Sequence, residues 1–135
     1  VLADARTIEG FERLMDIATL VTPNVAELAA LGGDGRMAAR GITYLAKGGD
    51  AEGPVVEDRL VRLGLEPRLW RAERIVTRHT HGTGCTLSSA IATLLGEGQP
   101  LEEAVDGAWR FVRRAIESAP GFGSECGPLG HQAVR

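Results

Sequence analysis

The segment Thr80-His81-Gly82-Thr83-Gly84-Cys85-Thr86-Leu87-Ser88 decides how this chain is read. Two glycines open a helical pattern in which Leu87, Ala90, Ile91, Leu94 and Leu95 share one face. Gly96 and Gly98 predict where that helix ends. In the first turn of an α-helix the backbone N–H groups lack intrahelical partners, and the helix dipole adds partial positive charge. Glycines there let an anion come close to those donors, so Gly82, Thr83 and Gly84 suit a phosphate. Cys85 falls at the same terminus, which favours a thiolate, and a thiolate there could serve as general base toward a substrate hydroxyl. The same residues also suit a plain glycine turn followed by a buried structural cysteine. A zinc reading of His79, His81 and Cys85 is poorer, because a fourth ligand is missing.

Working upstream, Lys47-Gly48-Gly49 closes an apolar run over 42–46 that reads as a strand. Before it, 34–40 is a short amphipathic stretch, and 24–31 reads as a helix ended by Gly32-Gly33. Residues 17–22 are expected to form a short buried strand stopped by Pro23. Ile8, Phe11, Leu14, Met15 and Ala18 predict an opening helix. Strand, helix, strand, helix is the order of parallel βαβ units. Between Gly49 and Thr80, 55–61 and 69–77 alternate as two further strands, with a turn near 64–67.

Downstream, Leu101, Ala104, Val105, Ala108, Trp109, Val112 and Ile116 mark the clearest amphipathic helix, and 121–135 reads as irregular. Trp70, Trp109 and Phe111 read as packing residues. There is no repeat and no signal of an internal boundary. The sum is an α/β layer of about four strands, two of them a hairpin, where doubly wound sheets usually have more. The chain therefore reads as the second half of a larger domain.

Composition narrows the classes. The 135 residues carry 15 Lys+Arg against 18 Asp+Glu, a net charge of −3, which lacks the basic patch of a nucleic-acid binder. Hydrophobic residues make up 44%, enough for a core. No run approaches the roughly 18 apolar residues of a membrane span, and no charged-then-apolar leader is visible. Two cysteines make no disulfide framework, so a cytoplasmic protein is expected. Glycine is high, 18 residues or about 13% against a usual 7%, and it clusters between the periodic segments.

Two further stretches could carry chemistry. In Thr22-Pro23-Asn24-Val25-Ala26-Glu27, Asn24 suits a helix N-cap and Glu27 completes a capping-box pair. Alternatively, Asn24 and Glu27 lie at a strand's carboxyl end, where α/β folds bind ligands and a carboxylate can hold Mg²⁺. Lys47 lies at another such end, where lysine is a point-charge partner for phosphate; an exposed turn lysine is the simpler reading. Taken together, the three stretches are expected to face one crevice, and they are the parts phosphoryl transfer needs.

The order of these motifs resembles the hydroxymethylpyrimidine/phosphomethylpyrimidine kinases of thiamine biosynthesis. Thr22 to Glu27, then Lys47-Gly48-Gly49, then Thr80 to Ser88 carry the resemblance, and Gly127-Pro128-Leu129-Gly130-His131 is similar to that family's C-terminus. Asp50 and His79 depart from it, standing where histidine and asparagine are more usual, and 31–42 is a shorter connection. The resemblance implies a ribokinase-like three-layer α/β/α sandwich, with residues 1–135 the C-terminal half of a single kinase domain. It implies an anion hole of Gly82, Thr83 and Gly84, Cys85 as the catalytic base, and Asn24, Glu27 and Lys47 serving ATP and Mg²⁺. No residue is assigned as a direct metal ligand. The implied activity is ATP-dependent phosphorylation of 4-amino-5-hydroxymethyl-2-methylpyrimidine and its monophosphate. A pyridoxal-type kinase and a non-catalytic nucleotide-binding half-domain are the alternatives. A small-molecule substrate, no nucleic acid, no membrane and a homodimer at full length are the expected partners, and the half-length chain alone is expected to be inactive.

Overall fold

The structure, a computed structural model, describes residues 5–134. They fall into two compact units that meet between Glu73 and Arg74 in the sequence, although no Pro- or Gly-rich linker marks the place.

The first unit begins with helix α1 (Ala5–Met15), followed by the short helices α2 (Val25–Ala30) and α3 (Gly33–Ala39). Gly32, at φ +92°, turns the chain between them in the left-handed region that glycine tolerates. Met15 and Met37 are buried with Ile42 and Tyr44, and Val21, Leu28, Leu31, Ala46 and Val61 pack around them. On the rim, Arg36 pairs with Glu12 at 2.6 Å and Arg40 with Asp16 at 2.8 Å, fixing α1 against α3. Exposed pairs of this kind contribute about 0–1 kcal/mol each, so the apolar cluster does most of the holding.

The strand expected over 17–22 does not form as such. Ile17 is 82% exposed, and the N–H groups of Ile17 and Ala18 close the last turn of α1 onto Leu14 and Met15. Those residues are spent ending a helix. Parallel pairing starts later and runs past the proline, with Val21 opposite Tyr44 and Asn24 opposite Lys47. Pro23 does not stop it, because its carbonyl, the group proline keeps, accepts the Lys47 N–H at 2.9 Å.

Strands β1 (Tyr44–Ala46), β2 (Val55–Val61) and β3 (Arg68–Glu73) make one sheet in the order β1-β2-β3, antiparallel throughout. The βαβ order read from the sequence thus survives only where 21–24 meets β1 across α2 and α3. The expected hairpin is present as β2-β3, but β3 ends at Glu73 rather than Thr77, and Val76 is 97% exposed. Alternation sorts the sheet's side chains. Tyr44, Ala46, Arg59 and Val61 share the face toward the apolar cluster, while Leu45, Asp58, Leu60 and Trp70 lie buried on the other.

The second unit holds α4 (Thr83–Gly96), α5 (Leu101–Glu117) and a 3₁₀ turn (His131–Ala133). The two helices pack against each other through Leu87 and Ile91 on α4 and Ala104, Val105, Ala108, Val112 and Ala115 on α5. A Cβ on Gly107 would meet Leu94 at 3.1 Å, so the helices approach closely there. Trp109 lies under the Arg113 guanidinium and Phe111 stacks on His131, as packing residues do. Residues 121–130 have no regular structure, as their composition predicts.

Candidate active site

In the first unit, Asn24 and Lys47 are neighbours across the parallel bridge, which brings two of the sequence's candidate residues side by side. Glu27 joins them through a complete capping box. The Glu27 N–H donates to Asn24 Oδ1 at 2.8 Å, and the Asn24 N–H donates to Glu27 Oε2 at 2.8 Å. The cap reading of this stretch is therefore correct, and it does not exclude the other. The box uses one oxygen of the Glu27 carboxylate, and among the described residues the second oxygen and the Lys47 ammonium have no hydrogen-bond partner. A single carboxylate oxygen without a hydrogen-bond partner fits Mg²⁺ held mainly by water and substrate phosphates, the usual manner of that ion.

Lys47 opens onto a depression of about 350 Å³ whose wall includes Val25, Leu28, Asp34, Glu57 and Arg59. Its charges are partly satisfied internally. Arg59 donates to both oxygens of Asp34 at 3.0 Å, and the buried Tyr44 hydroxyl donates to Asp34 Oδ1. The Tyr44 bond, helped by Arg59, holds the Asp34 carboxyl below its ordinary range despite some desolvation. Burial, then the bond to Asp34, pushes the Tyr44 hydroxyl up to about 12.

Asp58, which the sequence reading passed over, and Gly48, which it quoted only as part of a motif, set the position of Lys47. Asp58 is 5% exposed, the one charged side chain among the buried residues described, and its Oδ1 accepts the Gly48 N–H at 2.8 Å. Gly48 itself lies so close to β2 that a Cβ would stand 2.1 Å from the Glu57 carbonyl oxygen. The signal was available: Asp58 has the same strand parity as Leu60, an inward phase where a carboxylate needs a partner.

In the second unit, Gly82 is the N-cap of α4 at φ +81°, with Thr83, Gly84 and Cys85 as the first three helical residues. The α4 terminus carries no side-chain cap and no acidic residue in its first turn, whereas α2 is boxed and α5 begins with Glu102 and Glu103. Its positive end is thus left uncompensated. A Cβ at Gly82 would have no neighbour within 4 Å, so the space outside the turn is open. Thr83 turns its hydroxyl back to the Thr80 carbonyl at 2.7 Å, and Ser88 caps the Gly84 carbonyl at 3.0 Å. Cys85 is an exposed free thiol, against the buried structural alternative. Among the described residues no three His, Cys, Asp or Glu side chains gather as a metal site, so His79, His81 and Cys85 do not form one. No helix described is long and apolar enough to cross a membrane.

Residues 1–130 match the family described as phosphomethylpyrimidine kinase. The chain belongs to that family. It is 40% identical over 132 residues to the hydroxymethylpyrimidine/phosphomethylpyrimidine kinase of Streptomyces coelicolor, covering 88% of this chain and 48% of that one. The ADP complex of Bacillus subtilis pyridoxal kinase superposes with a TM-score of 0.88 at 28% identity, over 99% of this chain and 58% of that one. Pyridoxal kinase from Staphylococcus aureus in complex with AMP-PCP gives 0.85 at 27%, over 100% and 55%. The fold is therefore ribokinase-like, as the motif order implied, and the chain spans about half the length or less of the curated relatives it matches.

Proposed function

We propose that this chain is the phosphate-handling part of a kinase that transfers the γ-phosphoryl group of ATP to hydroxymethylpyrimidine and then to its monophosphate. The observation that carries the reading is the α4 terminus: an uncapped, glycine-opened helix start with an exposed cysteine in its first turn. Membership of the phosphomethylpyrimidine kinase family supports the substrate. In this reading the Cys85 thiolate takes the proton of the substrate hydroxymethyl group. The freed oxygen attacks the γ-phosphorus, the bond to the bridging oxygen breaks, and ADP leaves with the electron pair. The Gly82–Gly84 backbone donors stabilise the negative charge on the transferring group. Lys47 faces the nucleotide phosphates, and Asn24 holds Glu27 in the rotamer that presents its second oxygen. Mg²⁺, when bound there, would neutralise phosphate charge. The full-length enzyme is proposed to work as a cytoplasmic homodimer, without nucleic-acid or membrane partners.

The test is ADP release by the full-length protein with Mg·ATP and hydroxymethylpyrimidine. Cys85→Ala should lower kcat by about 10²–10⁴, the usual worth of a positioned base. Wild-type turnover in that variant removes Cys85 from the mechanism. A pyridoxal-type kinase is the second reading, favoured by the likeness to pyridoxal kinase structures. Competition between pyridoxal and the pyrimidine for the same enzyme separates the two. The 135-residue chain alone is proposed to be inactive; Mg·ATP binding without ADP release in the full-length protein would make it a non-catalytic nucleotide-binding module.

A further inference from the structure

The C-terminal tail is tied to the segment that carries the glycine turn, and the ties are specific. Arg78 donates to the carbonyls of Gly123 and Ser124 at 3.3 and 3.4 Å. The His79 ring sits against the backbone of Gly127, where an added Cβ would come within 2.2 Å of Nδ1. Leu129 is 4% exposed, and the Gly130 N–H donates to the Ala115 carbonyl at 2.7 Å, so the tail is anchored at the end of α5. At Gly130 a Cβ would stand 2.1 Å from the Ser118 carbonyl oxygen, which leaves no room for any other residue. Directly after this anchor, His131 stacks on Phe111 with ring centroids 6.3 Å apart, and its Nε2 lies 2.9 Å from Thr86 Oγ1. Thr86 follows Cys85, and its own N–H closes the first turn of α4 onto the Gly82 carbonyl at 2.8 Å.

We infer that His131 is a positioning residue for phosphoryl transfer: held by Phe111 and the Gly130 anchor, it fixes the first turn of α4 through Thr86 and so sets the aim of Gly82–Cys85. The inference rests on the kinase reading above. His131 touches no reacting atom; it acts through Thr86. The α4 start lacks both a side-chain cap and a first-turn acid; beside the Thr83–Thr80 bond and the turn's own backbone bond, the His131–Thr86 contact ties it to a residue outside the helix. A group aimed at a transition state loses rate when its support loosens, while ground-state binding changes little.

The experiment uses the full-length kinase with His131→Ala, His131→Gln and Thr86→Val, and the double variant His131→Ala/Thr86→Val. Steady-state kinetics are paired with hydrogen exchange of the peptide covering 80–90. His131→Ala should lower kcat about tenfold, the equivalent of one lost hydrogen bond, with both KM values within about twofold. Amide exchange in the α4 first turn should speed up by a similar factor. Glutamine keeps a nitrogen near the Nε2 position and should restore most of kcat, and the double variant should be no slower than either single one. Unchanged kcat in His131→Ala overturns the inference, whatever the exchange shows. So does a loss that glutamine does not rescue and that tracks a general fall in melting temperature, which is the signature of packing alone. Absence of turnover in the wild-type protein overturns the kinase reading and this inference with it, whereas an active wild type beside an unaffected His131→Ala overturns this inference only.

Discussion

Gly48 offers the sharpest test of how the first unit holds Lys47. In Gly48→Ala the new Cβ would stand 2.1 Å from the Glu57 carbonyl oxygen, 3.1 Å from its carbon and 3.3 Å from its nitrogen. Side-chain carbons do not come below 3.0 Å of such atoms, so the backbone at 48 must move away from β2 by about 0.9 Å. Every atom in the way is main chain, and no rotamer change relieves it. Overpacking of this kind costs about 1–3 kcal/mol. The same movement stretches the 2.8 Å bond from Gly48 to the buried Asp58 carboxylate, and weakening a bond to a charged group costs about 1.5–3 kcal/mol. The two terms share one displacement and do not add fully, so the expected loss is about 2–4 kcal/mol. In a domain of about 150–250 residues that lowers the melting temperature by about 5–15 °C. Gly49→Ala is the control, because a Cβ there meets nothing within 4 Å and the backbone is not left-handed; its effect should stay within about 0.5 kcal/mol. The assay is denaturant and thermal unfolding of both variants in the full-length protein, with KM for ATP alongside. If Gly48→Ala is as mild as Gly49→Ala, the close approach of the Lys47 turn to β2 is wrong, and with it the account of what positions Lys47.

The capping box separates folding from chemistry at Glu27. Glutamine at the third helical position keeps the box, so Glu27→Gln should leave the melting temperature within about 2 °C while lowering Mg²⁺-dependent turnover; Asn24→Ala should instead cost about 1 kcal/mol of stability in urea unfolding. Tyr44 and Asp34 give a pH dependence with a definite sign. The Tyr44 hydroxyl is raised to about 12, so its contribution is complete below the ordinary value of 10 and is lost as pH rises through 12. Asp34 is depressed, so its contribution is present above 3.8 and is lost as pH falls below it. Urea midpoints of the wild type should therefore fall between pH 10 and 12, and Tyr44→Phe should flatten that decline.

The helices were legible because their signals are local. Leu101 to Ile116 keeps one apolar stripe over four turns, and α5 lies where that stripe places it. Asn24 and Glu27 announced α2 by the chemistry of its first turn, and Gly82–Cys85 announced α4. The sheet was harder. An apolar run does not say which neighbour it pairs with, so the β1-β2 antiparallel pairing was invisible while the 21–24 bridge to β1 was expected too early. Ile17 misled because an exposed isoleucine looks the same in a sequence as a buried one. At the site, residue types that act by charge or by a glycine turn could be singled out. Residues that act by holding others could not: Asp58 in a strand reads as a solvated carboxylate until its partner Gly48 is seen, and His131 reads as tail until Thr86 is beside it.

The left-handed backbone at Gly82 has a consequence for competition within the molecule. A residue that caps its own helix needs an extended backbone, as Asn24 has at φ −78° and ψ 178°. Gly82, at φ +81° and ψ 6°, cannot present a side chain to the helix start in that way, and Asp, Asn or Ser placed there would be strained before it could reach the amides. Position 82 therefore cannot cover the α4 amides with a side chain of its own. Mutations that would stabilise most helices by supplying a cap at this position are closed to this one, and the first-turn donors are left uncapped, as the proposed anion hole requires.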